Sequence, residues 1–460
     1  MKKVLALALS AAMIASLSAC GGSSSGTATT AAKAAAATTA KAAAATTAAA
    51  GTTAKAAAAT TAKAAAGTTA KAAAATTKAA SSAAAKITVP TDDKYNSMTA
   101  AQLLEQAKKE DKTIVVYCTT SKLTKVAEAF MKEYPDLKVE VSDLDAGESI
   151  TKVVTEVDAG KVLCDVVQDS DSRGDITFNY YGKYLDAYLP KDICSKIDPS
   201  LMTYGMPYYS SISYWFYNTA AFPDKSPVNN WWDIVETDAG GKQKYDLYCK
   251  EPGSEVTYLA LYSNFVAHPE ELAKAYKTKY GKDIEYTYDA KALGFEANNA
   301  GYEFLYRLSQ LKCTFISDGD EIIKAVANST KEKPALGLAS AGKITNRDDN
   351  KMAIAWVTDL APYVSTLNTS YIYTVPKSNS PAGARLFIRY MMGGDDGQGD
   401  GYKAVLKEGS WSVRSDTKNK KNPFELKDSH TISSDLTAVY DNYLNVSDFW
   451  TYWHNKSANK

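Results

Sequence analysis

The spacing of apolar residues changes repeatedly between residues 99 and 168, from a helical period to a strand period and back. Apolar positions three and four residues apart predict helices, and short apolar or alternating runs predict strands. The predicted helices cover residues 99–110, 121–134 and a stretch from 150 onward, and the predicted strands cover residues 113–118, 137–141 and 165–168. Strands that alternate with helices in this way are typical of α/β folds with parallel strands.

A second run of alternating elements follows an aromatic, β-rich stretch of the chain. That stretch covers residues 206–218, and the later elements are a helical start at 231, strands at 335–338, 353–357 and 371–375, and a helix at 382–392. The chain from residue 88 to 460 is long enough for two domains or for one domain with two lobes. Ligands of α/β sheets bind beyond the carboxyl ends of the strands, so we expect a site in the loops that follow them.

The first twenty residues have the pattern of an export signal. Two lysines precede an uncharged run from Val4 to Leu17, and the sequence Leu17-Ser18-Ala19-Cys20 resembles a bacterial lipobox. The run is too short to cross a bilayer, which takes roughly 20 apolar residues. The resemblance implies that residues 1–19 are a signal peptide and that Cys20 carries a lipid, which would hold the protein on the outer face of the cell membrane. The alternatives are a membrane-anchor helix and an Ala-rich start that resembles the motif by chance.

A low-complexity tract of alanine, threonine and lysine follows the cysteine, with an imperfect ATTAKAAA repeat. Its threonine pairs weaken helix propensity, and no apolar side chain larger than that of Ala could bury a face. We interpret residues 20–87 as the lipidated cysteine and a solvated spacer. A polymer-binding arm is the alternative interpretation. The folded domain is then predicted to span residues 88–460.

The formal charge of zero hides an asymmetry between the two parts of the chain. Nine of the 52 basic residues lie in residues 1–86, which contain no acidic residue, so 43 basic residues face 52 acidic ones in the remainder, a net charge of −9. Nucleic acid is bound by clustered Lys and Arg, so an acidic domain of this kind is not expected to bind it.

Motifs for catalysis or for a bound metal are not convincing in this sequence. Residues 337–343 have the spacing of a phosphate-binding P-loop, but Ile344 stands where a Ser or Thr is required. The histidines His268, His430 and His454 are scattered, and the five cysteines beyond Cys20 lack metal-site spacing. We therefore predict no catalysis, no cofactor and no resident metal.

Several segments, in their order along residues 112–415, resemble the solute-binding proteins of bacterial ABC importers. The resemblance is greatest to the two-lobed branch, periplasmic-binding-protein type II, that includes ferric-ion binders and their organic-solute relatives. The segments that carry it are Ile114-Val-Val-Tyr117, the helix 126–134 before an LKVEV strand, Gly147-Glu148, Cys164-Asp-Val-Val167, Phe216-Tyr-Asn-Thr219, Asp318-Gly-Asp320, Ala335-Leu-Gly-Leu338 and Val375-Pro-Lys377 leading to Phe387.

The resemblance implies a fold, a partner and a mode of action. Each lobe would be a mainly parallel sheet flanked by helices, with crossings near residues 206–218 and 353–373. Lobe 1 would comprise residues 88–205 and 370–415, lobe 2 residues 219–352, and the C-terminal helices would pack on the lobes. A monomer would bind a small-molecule solute between the lobes and deliver it to an ABC transporter permease.

This sequence has other residue types at the positions that bind iron in the ferric branch. That branch commonly uses two adjacent tyrosines and a histidine, which by eye fall at Ser340-Ala341-Gly342 and at Ser121. Ferric ion requires phenolate or carboxylate oxygens, which these residues lack. Iron therefore stays an alternative, with Tyr180-Tyr181 and Tyr208-Tyr209 as other sources of phenolate.

Small hydroxyl residues occupy loops after several predicted strands. The candidate ligand contacts of this kind are Thr119, Thr120, Ser121, Gly147, Glu148, Ser149, Ser254, Ser340 and Ala341. Free backbone N–H groups at helix starts favour an anion, so we predict an organic anion, a phosphonate or phosphate ester, or a sugar-like solute. The alternative is that each Ser or Thr is simply a helix cap.

Acidic and aromatic candidates complete the predicted site. Asp169, Asp171 and Asp359 are acidic candidates for binding an amine on the solute. Asp171 and Asp175 are better placed to cap the next turn, and Asp169, just past a predicted strand end, is the preferred candidate. Tyr208 and Tyr209 belong to the aromatic stretch 204–217, which with Trp231 and Trp232 could stack on a sugar ring or form the packing of a hinge.

Two other functional classes stay open on sequence alone. One is an exported glycan-active enzyme that uses paired acids and the aromatic stretch. The other is an adhesin or a sensory receptor with the same fold, presented by the spacer. Turnover of a wall-derived substrate would favour the enzyme, and solute uptake that survives deletion of the gene would favour the adhesin.

Lipidation at Cys20 can be tested by one substitution. We expect Cys20→Ser to move the protein from the detergent phase to the aqueous phase in a cloud-point extraction of cells, because the acyl chains supply the membrane affinity. Cys194→Ser is the matched control and should stay in the detergent phase. Membrane association of Cys20→Ser equal to that of the wild type would favour the anchor helix.

Overall fold

The computed structural model describes residues 94–145, 147–202, 205–289 and 298–458. The predicted signal peptide, Cys20 and the spacer lie outside these residues, as does Tyr204. Among the described residues, no helix is both long enough and apolar enough to cross a membrane.

Strands and helices alternate along the described chain. The strands are β1 Thr113–Cys118, β2 Lys138–Asp143, β3 Val166–Asp169, β4 Met206–Ser211, β5 Ser213–Asn218, β6 Asp246–Cys249, β7 Cys313–Phe315, β8 Ala335–Ser340, β9 Ile354–Trp356, β10 Asn368–Thr374 and β11 Ser410–Ser412. The helices are α1 Ala100–Ala107, α2 Lys122–Glu133, α3 Glu148–Asp158, α4 Lys191–Cys194, α5 Trp231–Ile234, α6 Val256–Ala267, α7 Pro269–Tyr280, α8 Ala300–Ser309, α9 Gly319–Ala327, α10 Asn346–Asp349, α11 Pro381–Met391, α12 Asp400–Lys403 and α13 Leu436–Ala458.

Local sequence signals account for the first elements. In the capping box of α1, Gln102 N donates to Thr99 Oγ1 over 3.3 Å, and Thr99 N donates to Gln102 Oε1 over 2.9 Å. Helix α2 buries Leu123, Val126, Ala127 and Phe130, the face that the helical spacing predicted. The predicted strands 113–118, 137–141 and 165–168 are confirmed to within one or two residues as β1, β2 and β3.

Two sheets form the centres of two lobes. The sheet of lobe 1 has the order β11-β4-β10-β3-β1-β2, and the sheet of lobe 2 has the order β7-β6-β8-β5-β9. A buried cluster around Phe130 and Phe387 fills lobe 1, and another around Trp231, Phe265 and Phe304 fills lobe 2. The predicted α/β class with two lobes is confirmed.

The expectation that each sheet is mainly parallel was wrong. Strands β1, β2 and β3 are parallel to one another, as are β6, β7 and β8, but the other strands pair antiparallel. Strand β10 runs antiparallel to both β3 and β4, and β5 runs antiparallel to both β8 and β9. The reason is that β5 and β10 belong to segments that cross between the lobes and so cannot follow the right-handed strand–helix–strand path of parallel neighbours.

Three segments connect the lobes. Strand β4 of lobe 1 continues through Ile212 into β5 of lobe 2, and residues 357–367 return from β9 to β10. The third segment leads from β11 to α13, which packs on α6 and α8 of lobe 2. It pairs with the second, since Leu367 N donates to Ile432 O over 2.9 Å.

Buried carboxylates join α3 and α11 to the sheet of lobe 1. Glu156 of α3 accepts hydrogen bonds from Tyr117 Oη over 2.6 Å, Leu163 N over 3.0 Å and Cys164 N over 3.1 Å. Asp165 accepts from Val115 N over 2.8 Å and from Ser380 N over 2.9 Å. These carboxylates satisfy buried donors that regular secondary structure leaves unpaired.

Substitution of Glu156 tests this role. We expect Glu156→Ala to lower the free energy of unfolding by about 3 kcal/mol, because three buried donors lose their acceptor. Glu156→Gln retains one acceptor oxygen and should cost less. Urea unfolding followed by tryptophan fluorescence measures both, with the exposed Glu105→Ala as a control that changes stability by no more than about 0.5 kcal/mol. A cost for Glu156→Ala as small as that of the control would contradict the assignment.

Candidate functional site

Three adjoining cavities lie along the boundary of the two lobes. The central cavity has a volume of about 120 Å³ and contains residues of lobe 1, lobe 2 and the connecting segments. The lobe 1 cavity, about 470 Å³, shares Asp171 and Ser172 with it. The lobe 2 cavity, about 370 Å³, shares Ser213, Thr257 and Asn368 with it. Together they form a continuous cleft between the lobes.

The central cavity is lined mainly by hydroxyl groups. Twelve of its 18 lining residues carry one, namely Ser172, Thr177, Ser200, Ser213, Thr257, Ser365, Thr366, Thr369, Tyr371, Tyr373, Ser433 and Ser434. The single charged side chain among the 18 is that of Asp171. Hydroxyl groups both donate and accept hydrogen bonds, so this lining suits a solute with many polar groups.

Two buried carboxylates lie at the end of β3. Asp169 accepts from Ser149 Oγ over 2.7 Å and from Ser170 N over 2.7 Å, and it lines the lobe 1 cavity. Burial raises the pKa of Asp169 to about 6, although the hydrogen bond from Ser149 opposes this. Asp171 accepts from Ile176 N over 2.9 Å and Thr177 N over 2.8 Å, and burial raises its pKa too.

The loop before α3 is only partly available to a solute. Gly147 has a φ of 84° and lines the lobe 1 cavity. Ser149 is fully buried and directs its hydroxyl to Asp169. Glu148 is exposed and accepts from Asp145 N over 3.4 Å, as a residue in the first turn of a helix often does. Of these three predicted contacts, the structure therefore places only Gly147 in the cleft lining.

The loop after β1 joins a polar network rather than the three cavities. Thr119 N donates to Gln168 Oε1 over 3.3 Å, and Gln168 Nε2 donates to Ser370 Oγ over 2.7 Å. Burial raises the pKa of Tyr209, and hydrogen bonds with Ser370 and Thr120 oppose the rise. Three predicted residues, Thr119, Thr120 and Tyr209, are thus brought together.

A lysine that the sequence analysis did not consider lies beside this network. The Lys122 Nζ atom is 5.2 Å from the centroid of the Tyr209 ring. Burial lowers the pKa of Lys122, and the charge of Lys407 lowers it further. Ser121, the residue before it, is exposed at the start of α2 and makes no side-chain capping hydrogen bond.

Lobe 2 contributes the ends of β6 and β8. Ser340 is exposed at the end of β8 and lines the lobe 2 cavity, whereas Ala341 is fully buried and donates its N–H to Ile212 O over 2.8 Å. The two lysines of this cavity are paired with carboxylates. Lys250 contacts Glu255 over 2.8 Å, and Lys343 contacts Asp320 over 2.7 Å.

Three further predicted contacts lie outside the cleft lining. Tyr208 is fully buried in the core of lobe 1, where its Oη donates to Gly401 O over 3.3 Å. Adjacent residues of a strand point to opposite faces, so Tyr208 and Tyr209 cannot both face the same side of the sheet. Ser254 and Asp359 are exposed and line none of the three cavities. We no longer expect these three residues to contact the solute.

The tryptophan pair forms core packing and not a stacking platform. Trp231 and Trp232 are buried, and their Nε1 atoms donate to Tyr363 O over 2.8 Å and to Leu272 O over 2.9 Å. Of the interpretations given for this aromatic stretch, packing is the one that these contacts support.

Several cleft residues were missed in the sequence. They are Thr177, Thr257, Asn368, Tyr371 and Tyr373. Asp171 caps the next turn, as assigned, and also lines two of the cavities. The alternation of residues 369, 371 and 373 along one strand was a usable signal, since alternate side chains share a face.

Within the described parts of the chain, no group of three or more His, Cys, Asp or Glu side chains is arranged to hold a metal ion. Of the tyrosine pairs considered for ferric ion, Tyr208-Tyr209 makes contacts within lobe 1. Tyr208 is in the core, and Tyr209 is bound to Ser370 and Thr120. These contacts do not support Tyr208-Tyr209 as ligands of a ferric ion.

Comparisons with known proteins agree with this architecture. The family described as bacterial extracellular solute-binding protein matches residues 125–423. A search of curated proteins found no match. Among solved structures, iron-bound HitA from Pseudomonas aeruginosa has 13% identity and a TM-score of 0.54, covering 73% of this chain and 98% of that chain.

Two further solved structures give similar values. An extracellular solute-binding protein from Bordetella parapertussis has 15% identity and a TM-score of 0.52, covering 74% of this chain and 98% of its own. The apo ferric ion-binding protein A from Pasteurella haemolytica has 13% identity and a TM-score of 0.50, also covering 74% and 98%. At such identities the similarity concerns the fold and not the ligand.

The raised pKa of Asp169 predicts a dependence of stability on pH. Between about pH 4 and pH 6 the carboxyl group ionises in the unfolded chain before it does in the folded protein, so the folded state loses relative stability as pH rises. The side chain in Asp169→Asn cannot ionise. The free energy of unfolding of this variant should therefore fall less over this pH range, by about 1.4 kcal/mol for each unit of pKa shift.

Urea unfolding at pH 4.5 and pH 7.5 measures this difference. The control is Asp136→Asn, which removes an exposed carboxylate between α2 and β2 and should keep the wild-type profile. Identical pH profiles for the wild type and Asp169→Asn would contradict the raised pKa.

Proposed function

The chain belongs to the bacterial extracellular solute-binding proteins, and we propose that it is a receptor that captures a small polar solute between its lobes and passes it to the permease of an ABC importer. The observation that carries this proposal is the hydroxyl-lined central cavity, to which both lobes and the connecting segments contribute. A solute held there would contact both lobes at once.

The lining favours a sugar-like solute over the anionic classes. None of the 18 residues around the central cavity is Lys, Arg or His, and the lysines of the lobe 2 cavity already contact carboxylates. An organic anion or a phosphate ester bound at the centre would face Asp171 without a compensating cation. Hydroxyl groups on the solute, in contrast, match the Ser, Thr and Tyr side chains.

We infer that binding acts by a shift between open and closed arrangements of the lobes. The connecting segments are few, so the lobes can rotate about them with small changes in each backbone angle. A solute that contacts both lobes binds the closed arrangement more tightly, and the equilibrium moves toward it by that difference in affinity. The permease would then recognise the closed form.

The remaining parts of the proposal concern location and chemistry. We propose that a lipid on Cys20 anchors a monomer to the outer face of the cell membrane and that residues 20–87 hold the domain away from it. The receptor would act without catalysis and without a cofactor. The lipobox-like sequence supports the proposed anchoring, and the family membership supports the proposed mode of action.

Blocking the cleft tests the proposed site. We expect Ser340→Trp to weaken solute binding at least tenfold, about 1.4 kcal/mol, because the indole would occupy the space that lobe 1 must enter on closure. Since Ser340 is exposed, the fold should be unaffected. A thermal-shift panel of hexoses, amino sugars and hexose phosphates identifies a ligand, and calorimetry compares the variants.

The matched control is Lys331→Trp, which places the same indole at an exposed position before the opposite end of β8. It should bind the ligand with wild-type affinity. Equal affinities for Ser340→Trp and Lys331→Trp would exclude the lobe 2 cavity from the binding site.

A further inference from the structure

Two neighbouring carboxylates in the cleft have no cationic partner. Asp169 and Asp171 are 5% and 8% exposed. Their hydrogen bonds come from neutral donors, Ser149 Oγ and Ser170 N for the first and Ile176 N and Thr177 N for the second. Neither carboxylate forms an ion pair with a side chain in the described ranges, a rare arrangement for buried acids.

The nearby cations are already occupied. Arg173 of the same loop contacts Asp175 over 2.7 Å. In the lobe 2 cavity Lys250 contacts Glu255 and Lys343 contacts Asp320. The three cavities together are lined by five carboxylates and three of these cations, so the cleft has an excess of negative charge.

A second, independent feature marks the same place. The Oη atom of Tyr373 is fully buried and has no hydrogen-bond partner among the described residues, and Tyr373 lines the central cavity together with Asp171. A buried hydroxyl group without a partner is unfavourable, so a partner from the solute is expected. Tyr371 also lines this cavity, and aromatic side chains attract cations.

These features complement one chemical group. A protonated primary amine has three N–H donors and one positive charge, so it can donate to a carboxylate and to a phenolic oxygen at the same time. A neutral hydroxyl group on the solute would satisfy Tyr373 but would leave both carboxylates without a counter-charge. An anionic group could accept a hydrogen bond from the Tyr373 hydroxyl but would add negative charge beside both carboxylates.

We propose that the solute carries a protonated amine beside its hydroxyl groups, as an amino sugar or amino polyol does, and that the amine binds between Asp171 and Tyr373. Asp169 strengthens the attraction from the adjoining lobe 1 cavity, and the hydroxyl groups of the solute bind the Ser and Thr side chains of the central cavity. This inference rests on the proposed receptor function and narrows its sugar-like class.

The test uses compounds that differ only in the amine. The purified protein is freed of any co-purifying solute by dialysis in urea and refolded. Calorimetry at pH 7 then compares glucosamine with glucose and N-acetylglucosamine, and glucamine with sorbitol. We expect each amine to bind at least tenfold more tightly than its neutral counterparts.

Variants locate the amine. Asp171→Asn and Tyr373→Phe should each reduce the preference for the amine at least severalfold, and Asp136→Asn, an exposed site elsewhere, should retain it. Since Asp171 also accepts from two backbone N–H groups, Asp169→Asn serves as a second charge variant in case Asp171→Asn does not fold. A preference that is unchanged in both charge variants overturns the inference.

The remaining outcomes separate this inference from the proposed function. If neutral compounds bind as tightly as the amines, the inference of a protonated amine is wrong, and the proposed receptor function is unaffected. If CaCl2 stabilises the protein and calcium competes with the amines, the site binds a metal cation, and the inference of an amine is wrong as well. If no compound binds, the accurate mass of the co-purifying solute shows whether that solute contains nitrogen. A composition without nitrogen, or the absence of any co-purifying solute, overturns the inference. Failure of the receptor function would appear separately, as no binding of any solute in the broad thermal-shift panel.

Discussion

The strand that changes sheet at Ile212 is the constraint on which the cleft depends. Because β4 and β5 are one extended segment, the edges of the two sheets meet where the segment passes between them. Ser211 and Ser213, on either side of the change, both line the lobe 2 cavity. Asn368 of β10 pairs with Ser211, and Ser340 of β8 pairs with Ser213, so residues distant in sequence are brought to this point. The site is therefore a consequence of the connection between the sheets.

Buried carboxylates have two distinct uses in lobe 1. Glu156 and Asp165 accept hydrogen bonds only from groups of their own lobe, and neither lines a cavity of the cleft. Asp169 and Asp171 also accept local hydrogen bonds, which position the loop after β3, but they face open volume. The same residue type thus stabilises the fold in one position and leaves a charge for a ligand in another. The pairs differ in their access to the cleft and not in residue type.

The sequence predicted the elements better than the contacts. Helical and strand periods located β1, β2, β3, α1 and α2 because each depends on local pattern. Of the predicted contacts, Asp169 at the end of β3 and Gly147 before α3 line the lobe 1 cavity. Tyr208 was a wrong choice because pattern alone does not say which face of β4 is turned to the core. Tyr373 and Asn368 were missed because their position depends on the pairing of β10 with strands far away in the chain. Tyr373 pairs with Val167 of β3, and Asn368 pairs with Ser211 of β4.

The third connecting segment limits how the lobes can move. It leads into α13, which packs on α6 and α8 of lobe 2 and also reaches lobe 1, where Tyr440 Oη donates to Asn179 Oδ1 over 3.0 Å. Ser433 and Ser434, just before the helix, line the central cavity. Any rotation of the lobes therefore displaces the helix start relative to lobe 1 and changes the cavity at the same time. A solute bound in the cavity and the contact between Tyr440 and Asn179 are coupled through this segment, so the affinity for solute includes the free energy of making or breaking that contact.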